Sequence, residues 1–575
     1  MAWDVTRWAY DTVTGLCMSK TYADGADNGT ATNEAWAVGG ESATLVRELD
    51  EQGRLVALTG RDGAPSPSAT SAQRYTYDTD GRLAAVSNAE AVAAYAYAPD
   101  GRDAGYTLTL ANGMTFTRTV VRDPFRRDLV ARIENLVNGT PVENLAYAYD
   151  ALARPVSRNG DAFGYNARGE VAFSRGDAES AEEAYAYDHI GNAVLAASGG
   201  VTNAYAANAL NQYTQVGRAA PCPPTTDGGL GQTALPITPA YDADGNLTGC
   251  GPWAFSYDAA NRLVTVSSNG VLLVTNFYDA QSRRVRKATP EATTTYIYDG
   301  WNLVGERIVR VNGLTSAIRY YWGKDISGTP QGAGGVGGLL YLTVDGALYV
   351  PLCDNNGNVT HYCNANGAVV ASYAYDAFGK TVAPSGPLAD LFRHRFSTKY
   401  LDAETGLYYY GYRFYVLSLM RWLNRDPIEE SGGLNLYGFC RNNAICAIDP
   451  LGQNRYMTTF SADPRKDQWH VGVAVDTWKC SNGQWVKTGV ATFDFGIDDS
   501  SFWNRLGTYF VTVGAISERE GNALTEPFTL FSTPKQDVEM LKRIRSEVGN
   551  PPLYSFFFNN CIHWANKAIG YGMDR

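Results

Sequence analysis

The sequence predicts a mainly β fold made of many consecutive hairpins, followed by a small α+β domain. A tyrosine and aspartate motif recurs along most of the chain, and its 59 glycines and 37 tyrosines accompany frequent Gly, Asn and Asp turn clusters. Its 575 residues are 45% apolar and only 19% charged, which is enough for a large core and too apolar for general disorder. After residue 452 the tyrosine and glycine rhythm stops, so we predict a separate domain there.

The recurring unit has the form Y-x-Y-D-x-x-G-R/N-L, and neighbouring units mostly start 16 to 22 residues apart. Alternating tyrosines indicate a half-buried strand, Asp-x-x-Gly favours a tight turn with one positive φ, and the next apolar pair starts the return strand. A single hairpin cannot bury its apolar face, so stacking into one curved sheet is the stable arrangement. The clearest units start at Tyr75, Tyr95, Tyr147, Tyr185, Tyr241, Tyr257, Phe277, Tyr296 and Tyr373.

These repeats resemble those of the YD-repeat (Rhs) family over about residues 6–452, with the repeat array itself in 1–319. The resemblance implies a hollow β-shell, that is, a solenoid or cocoon of hairpins. The stretch WAYDTVTGLCMSKTYADG from Trp8 is already a repeat. We therefore expect the array to start in its middle, because the natural parent is longer or the reading frame is truncated.

Residues 320–452 contain YYWGKD, YDAFGK, GLYYYGYRFY, NRDPIEE and AIDPLG in that order, which resembles the Rhs repeat-associated core. The resemblance implies an aspartic self-protease that uses Asp426, which follows Arg425, and Asp449. Two carboxylates that share a proton can activate water, provided that folding brings them together. The family cleaves after a leucine at the position that Gln453 occupies here. The alternative is that both Asp-Pro steps only start turns.

Several strings that resemble chemical motifs favour structural roles. The segments that begin at Asp242 and Asp354 are similar to half of a calcium loop, but neither has the closing glutamate, so turns are the better interpretation. The glycine run 332–338 is followed by no Lys-Ser/Thr pair and is interpreted as a flexible connection. Cys353, His361 and Cys363 are close in sequence, yet nine scattered cysteines favour reduced thiols. We predict neither a metal nor a cofactor.

The terminal domain, residues 453–575, has 13 basic and 13 acidic residues, so the net charge of −11 belongs to the rest of the chain. A nucleic-acid target is not expected, because phosphate binding requires a basic face. The pattern predicts strands over 469–478 and 485–495, joined at 481–483, and another over 509–516. A helix is predicted after Pro534, and a shorter one after Asn560.

The shorter helix would begin at Asn559-Asn560-Cys561, where the helix dipole and free N–H groups stabilise a thiolate. With a two-residue turn, His470 lies opposite about Asp494 or Phe495. This order resembles the circularly permuted NlpC/P60 superfamily of papain-like enzymes, in particular the lecithin:retinol acyltransferase-like branch. The resemblance implies a Cys561 nucleophile, a His470 base and an orienting Asp494 that act on amides or acyl esters. Taken singly, Cys561 and His470 are more often structural residues.

The preferred functional hypothesis is a polymorphic toxin-like protein, whose repeat shell encloses or presents a C-terminal cysteine hydrolase or acyltransferase. It implies an immunity protein, a secretion apparatus or cell envelope, and a protein, peptidoglycan or lipid target. The alternative is a non-enzymatic surface protein with a capping or adhesive tail, and the neutral tail disfavours a nuclease. The sequence has no run typical of a signal peptide or a membrane span. We therefore expect secretion or surface display by a non-Sec route or through a missing N-terminal region.

Overall fold

The structure is a computed structural model, which describes only part of the 575 residues. The described residues are 6–10, 17–22, 43–50, 54–61, 72–126, 129–176, 182–218, 237–382, 384–453, 457–458, 471–481, 484–495, 509–511, 517–520 and 554–556.

The first sheet is an antiparallel meander of 18 strands in which each strand pairs with the next one along the chain. Its strands β1 to β18 are Thr6–Tyr10, Cys17–Tyr22, Ala43–Leu49, Leu55–Arg61, Gln73–Tyr77, Leu83–Ser87, Ala91–Tyr97, Asp103–Leu110, Thr115–Arg122, Val130–Val137, Thr140–Tyr149, Pro155–Arg158, Asp161–Tyr165, Val171–Arg175, Glu182–Tyr187, Ala193–Ser198, Val201–Ala207 and Tyr213–Arg218.

The second sheet continues the same hairpin pattern through 13 strands. Its strands β19 to β31 are Ala240–Tyr241, Leu247–Cys250, Trp253–Tyr257, Leu263–Ser268, Val271–Tyr278, Arg284–Ala288, Ala292–Asp299, Asn302–Arg310, Thr315–Trp322, Leu339–Val344, Ala347–Cys353, Val359–Asn364 and Val369–Ser372.

The hairpin turn beginning at Asp78 shows why the repeat has its sequence. Asp78 Oδ1 accepts bonds from the backbone N–H groups of residues 80 and 82, and Gly81 adopts a φ of +78°. Arg82 then pairs with Asp78 at 2.8 Å and lies over the ring of Tyr97, 4.5 Å from its centroid. The Tyr97 hydroxyl donates to the Leu83 carbonyl, so each turn is attached to the next hairpin. The predicted turn chemistry is thus confirmed.

The segment after the second sheet fills the interior with aromatic side chains. It contains β32 to β35, which are Tyr400–Asp402, Leu407–Tyr409, Phe414–Val416 and Arg421–Trp422, and 3₁₀ turns at Phe396–Thr398, Leu417–Leu419, Glu429–Gly432 and Cys440–Asn442. Tyr415 stacks on Phe439 at a centroid distance of 3.9 Å, and Trp422 meets Phe439 edge to face. These rings join the same core as side chains from both sheets. The mainly β fold predicted for this part of the chain is therefore confirmed.

The chain divides into two compact units, Met1–Ala462 and Asp463–Arg575. Strands β36 (Ala447–Ile448) and β37 (Met457–Thr458) pair within the first unit, so the chain doubles back after Gly452. The described strands of the second unit are β38 (Val471–Ser481), β39 (Gln484–Phe495), β40 (Tyr509–Val511), β41 (Ser517–Glu520) and β42 (Tyr554–Phe556). The β38–β39 hairpin confirms the predicted strand pair, and the two predicted helices lie outside the described residues.

The glycine run 332–338 is an ordered loop, so its interpretation as a flexible connection was wrong. Ala333 and Val336 are fully buried. Asp325 Oδ2 accepts the N–H groups of Ala333 and Gly335 at 2.7 and 3.1 Å. The loop needs glycine because its backbone turns sharply against neighbouring chain: a Cβ on Gly334, whose φ is +59°, would lie 2.3 Å from the Pro450 carbonyl oxygen.

Candidate functional site at the domain junction

The two aspartates predicted for self-cleavage, Asp426 and Asp449, both contact one buried arginine, Arg413. Arg413 Nη2 lies 2.9 Å from Asp426 Oδ2 and 3.6 Å from Asp449 Oδ2, and all three side chains are fully buried. Arg413 follows the tight turn at Gly411 and lies one residue before β34, while Asp449 directly follows β36 and Asp426 lies four residues after β35. Folding therefore brings together residues that are 23 positions apart in sequence.

Arg413 and Asp449 also bind the backbone of the junction, that is, of residues 450–453. Asp449 Oδ1 accepts N–H bonds from Leu451, Gly452 and Gln453 at 3.3, 2.8 and 3.1 Å. Arg413 Nε donates to the Gly452 carbonyl at 2.5 Å. In the peptide unit between Gly452 and Gln453, the carbonyl oxygen thus accepts a bond from the Arg413 guanidinium, and the N–H donates to the Asp449 carboxylate. This contact polarises the carbonyl group, which is what hydrolysis of an amide requires.

Lys399 fixes the other side of the junction. Its Nζ donates to the Pro450 carbonyl at 2.6 Å and to the Gly334 carbonyl at 2.8 Å. One ammonium group thereby binds both the glycine loop 332–338 and the junction. The Tyr412 N–H adds a bond to the Leu451 carbonyl at 3.1 Å, so three successive carbonyl groups, those of residues 450, 451 and 452, are all engaged.

Burial sets the protonation of these groups. It raises the pKa of Asp426, an effect that Arg413 opposes and that the nearby Asp449 carboxylate reinforces. Burial also lowers the pKa of Lys399 to about 8, although Asp449 and Asp325 favour its charged form. The site thus contains one carboxyl group inclined to keep its proton beside a second carboxylate, which is the arrangement that acid and base catalysis by paired carboxylates needs.

Arg425, which precedes Asp426 in sequence, stands apart from this cluster. Its side chain is exposed and lies over Gly245. The cation at the site is instead Arg413, which sequence reasoning missed. A signal was present, because Arg413 is a single charge inside the aromatic run YYYGYRFYV, and a buried charge in such a run requires a carboxylate partner.

The residues predicted for a cysteine hydrolase are described only in part. His470 and Cys561 lie outside the described residues. The backbone of Asp494 pairs with Gly472, and Phe495 pairs with Val471, so the prediction that one of these two residues lies opposite His470 was wrong. A bulge between Thr477 and Trp478 shifts this register by one residue from that of a regular two-residue hairpin. The roles of Cys561, His470 and Asp494 therefore remain predictions.

The calcium-like segments serve as turns. Asp242 and Asp354 each accept backbone N–H bonds two and four residues ahead, and Asp354 also pairs with Arg158. Burial raises the pKa of both the Cys353 and the Cys363 thiols to about 12, which favours the neutral thiol. Within the part of the chain that the structure describes, no group of three or more metal-ligating side chains is found. Nor does that part contain a helix with the length and apolar character of a membrane span.

Comparison with known proteins identifies the class of fold. Residues 232–445 match the family model described as the teneurin YD-shell. Two solved complexes titled TcdB2-TccC3-TEV and TcdB2-TccC3-Cdc42 superpose with TM-scores of 0.58 and 0.55 over 78% and 79% of this chain, at 18% identity. The matched parts are 23% and 24% of those chains. At 18% identity, the likeness shows the fold alone. The hairpin sheets and their aromatic filling are a YD-shell.

Curated relatives support the same assignment. The tRNA3(Ser)-specific nuclease WapA of Bacillus spizizenii is 29% identical over 250 residues, which are 42% of this chain and 10% of that protein. The double-stranded DNA deaminase toxin A of Burkholderia cenocepacia is 29% identical over 241 residues, 37% of this chain and 16% of that protein. The chain thus spans about a tenth to a sixth of these relatives. Together the matches support membership in the Rhs/YD-shell family.

Proposed function

We propose that this chain is a toxin-like Rhs protein whose shell cuts its own backbone near Gln453 and thereby frees the C-terminal domain as an effector. The observation that carries the proposal is that Arg413 contacts both Asp426 and Asp449, while Arg413 and Asp449 bind the backbone of residues 451–453. The presence of a toxin among the relatives supports the biological setting.

The proposed cleavage is a hydrolysis. Water adds to a carbonyl carbon at the junction, the C–N bond breaks, and the leaving nitrogen receives a proton. Asp426, whose pKa is raised by burial, supplies a proton, and Asp449 accepts one from the water. Arg413 holds the two carboxylates together and draws electron density from the Gly452 carbonyl.

The experiment is a time course of the full chain in cell-free synthesis, followed by denaturing electrophoresis and intact mass. Cleavage would replace the 62.4 kDa species by two fragments. A C-terminal fragment beginning at Asn454 matches the family's position, and one beginning at Gln453 matches the peptide unit held by Arg413. Asp426→Asn and Asp449→Asn should abolish the fragments, whereas the exposed Glu430→Gln should leave them unchanged. A wild-type chain that stays intact would refute self-cleavage.

For the freed domain we propose a thiol hydrolase or acyltransferase with Cys561 as nucleophile, His470 as base and Asp494 as the orienting residue. What supports it is the predicted helix start at Cys561 and the β38–β39 hairpin next to His470. Its substrates are amides or acyl esters in a target cell, and an immunity protein and a secretion apparatus are the expected partners.

The test compares full-length wild type and Cys561→Ser in bacterial cells and against a thiol-reactive probe. In the wild type we expect growth inhibition, and we expect the probe to label Cys561 faster than Cys480, which serves as the reference thiol. Cys561→Ser should lose both the growth inhibition and the fast labelling. Full toxicity of Cys561→Ser would instead favour a nuclease or deaminase, because the relatives' names include both activities. A harmless wild type with slow labelling at Cys561 would favour the non-enzymatic surface protein with a capping or adhesive tail.

A further inference from the structure

A cavity lined by both aromatic and polar side chains lies next to the junction, inside the aromatic filling of the shell. The cavity volume that the centre of a water molecule can occupy is about 40 Å³. One buried water needs roughly 10 to 15 Å³ by this measure, so the cavity has room for about three. Its walls include Lys399, Leu451 and Gly411, which also belong to or contact the junction.

Five polar atoms of residues that line the cavity have no hydrogen-bond partner among the described residues. They are Arg284 Nε, Tyr296 Oη, Asn302 Oδ1, His394 Nδ1 and Tyr410 Oη. Their residues are at most 4% exposed, so bulk solvent does not reach them. Buried polar atoms in native proteins are almost always satisfied by protein or by ordered water. A shared cavity of this size satisfies all of them if it is hydrated.

The histidine in this wall is a neutral acceptor or donor rather than a charge. The rings of Tyr320, Trp322 and Tyr400 enclose the His394 imidazole, and burial lowers its pKa to about 3. Arg284 is already neutralised by Asp402, which it contacts through both terminal nitrogens. Apart from the Lys399 ammonium, the polar groups of the cavity wall are neutral or paired with a carboxylate, and such a small hydrogen-bonding space fits water better than a metal ion.

Lys399 connects the cavity with the junction. Its ammonium has three donors, and two of them bind the carbonyl oxygens of Pro450 and Gly334. The third is available to a water in the cavity that Lys399 lines. A water chain from the neutral wall to Lys399 would end beside Leu451, one residue before the polarised Gly452 carbonyl.

We propose that this cavity is an internal hydration site that supplies the water for self-cleavage. It holds about three waters between Tyr296, Asn302, His394 and Lys399, and one of them is consumed at the junction. The water oxygen bonds to the carbonyl carbon, the C–N bond breaks, and the two water protons end on the new carboxyl group and the new amine. This inference rests on the proposed self-cleavage and adds the source of its co-substrate.

The decisive variant is the double substitution Tyr296→Phe/His394→Phe in the full chain. It removes two polar anchors of the waters and keeps both rings in place. A structural role would lower the melting temperature, whereas loss of two polar atoms whose partners are cavity waters should leave it equal or higher, because those waters can return to bulk solvent. The matched control is Tyr257→Phe, which breaks the 2.9 Å bond from the Tyr257 hydroxyl to the Leu247 carbonyl outside the cavity.

We expect the double variant to cleave itself at least tenfold more slowly than wild type at an unchanged or higher melting temperature. Tyr257→Phe should show the reverse, a lower melting temperature and a wild-type cleavage rate. A high-resolution crystal structure of the uncleaved Asp426→Asn chain should show ordered water at Tyr296 and His394. A wild-type cleavage rate in the double variant, or no water density in the cavity, would overturn the hydration site and leave self-cleavage standing. A wild-type chain that never cleaves would instead remove the proposed function, and this inference with it.

Discussion

Replacing Arg413 by methionine tests the junction site through stability as well as activity. The substitution keeps most of the side-chain volume and removes the cation that contacts Asp426 and Asp449. Two carboxyl groups then remain in a fully buried position without their countercharge. The Leu436 and Gly452 carbonyl groups also lose their donor.

The size of the effect follows from burial. Removing one partner of a buried ion pair costs about 3 to 5 kcal/mol, because the other charge stays desolvated. That range lowers the folded-to-unfolded ratio by roughly two to four orders of magnitude. The triple variant Arg413→Met/Asp426→Asn/Asp449→Asn removes all three charges, and should recover most of the loss, to within about 1.5 kcal/mol of wild type.

Chemical unfolding of the Asp426→Asn, Arg413→Met and triple variants, followed by tyrosine fluorescence, measures this difference. Burial already raises the pKa of Asp426 in the folded protein, and removing Arg413 raises it further. A carboxyl group with a raised folded pKa adds stability at low pH and loses it as pH rises through that pKa. The Arg413→Met chain should therefore regain stability as pH falls from 7 towards 4. An Arg413→Met chain as stable as Asp426→Asn at pH 7 would refute the buried-triad reasoning.

Two further predictions test the cations around the shell. Burial lowers the pKa of Lys399 to about 8. Between pH 8 and 10 the folded state has therefore released a proton that the unfolded chain still binds, so wild type should gain stability relative to Lys399→Met as pH rises. Parallel unfolding curves of the two chains check this, and the absence of a relative gain would contradict it. Asp279→Ala should cost about 3 to 5 kcal/mol, because it removes the carboxylate that the buried Arg283 contacts. The equivalent Asp258→Ala should cost about 1 kcal/mol, since Asp258 and Arg262 are each about a quarter exposed; equal thermal shifts in these two variants would show that burial does not decide the cost.

The repeat fold was predictable because its determinants are local. The turn bonds of Asp78, the positive φ of Gly81 and the stacking of Arg82 all lie within or next to one motif. Each unit therefore specifies its own hairpin, and repetition specifies the sheet. The ordered conformation of the glycine run 332–338 could not be predicted in this way. It depends on bonds to Asp325 and Lys399 and on packing against the junction, all of which lie outside the run in sequence.

The junction site was predictable in its acids but not in its cation. Asp426 and Asp449 belong to recognisable Asp-Pro strings, whereas Arg413 lies in an aromatic segment, one residue before β34, whose pattern indicates only that a charge is buried there. Pairing Arg413 with two carboxylates depends on the chain path that brings residues 426 and 449 back to it. Such long-range placement is a property of the packed module and has no local sequence signal.

Gln453 departs from the leucine expected at the proposed cleavage position, yet the contacts that the structure shows there do not use this side chain. The contacts that hold residues 450–453 go to backbone atoms: Lys399 and Arg413 bind carbonyl oxygens, and Asp449 accepts N–H groups. Glutamine in place of leucine at 453 removes none of them. We therefore expect Gln453→Leu to change the self-cleavage rate by no more than about threefold.

Gly452→Ala is the contrasting substitution at the neighbouring position. Gly452 has a φ of +75°, and an added Cβ would lie 3.2 Å from the backbone nitrogen of Arg413. The change should shift the held peptide unit and slow cleavage at least tenfold, because catalysis of this kind depends on placement within about 1 Å. Quantifying both fragments over time in the two variants measures the difference. If Gln453→Leu accelerates cleavage far beyond threefold while Gly452→Ala has no effect, side-chain recognition at 453 rather than the backbone contacts positions the scissile bond.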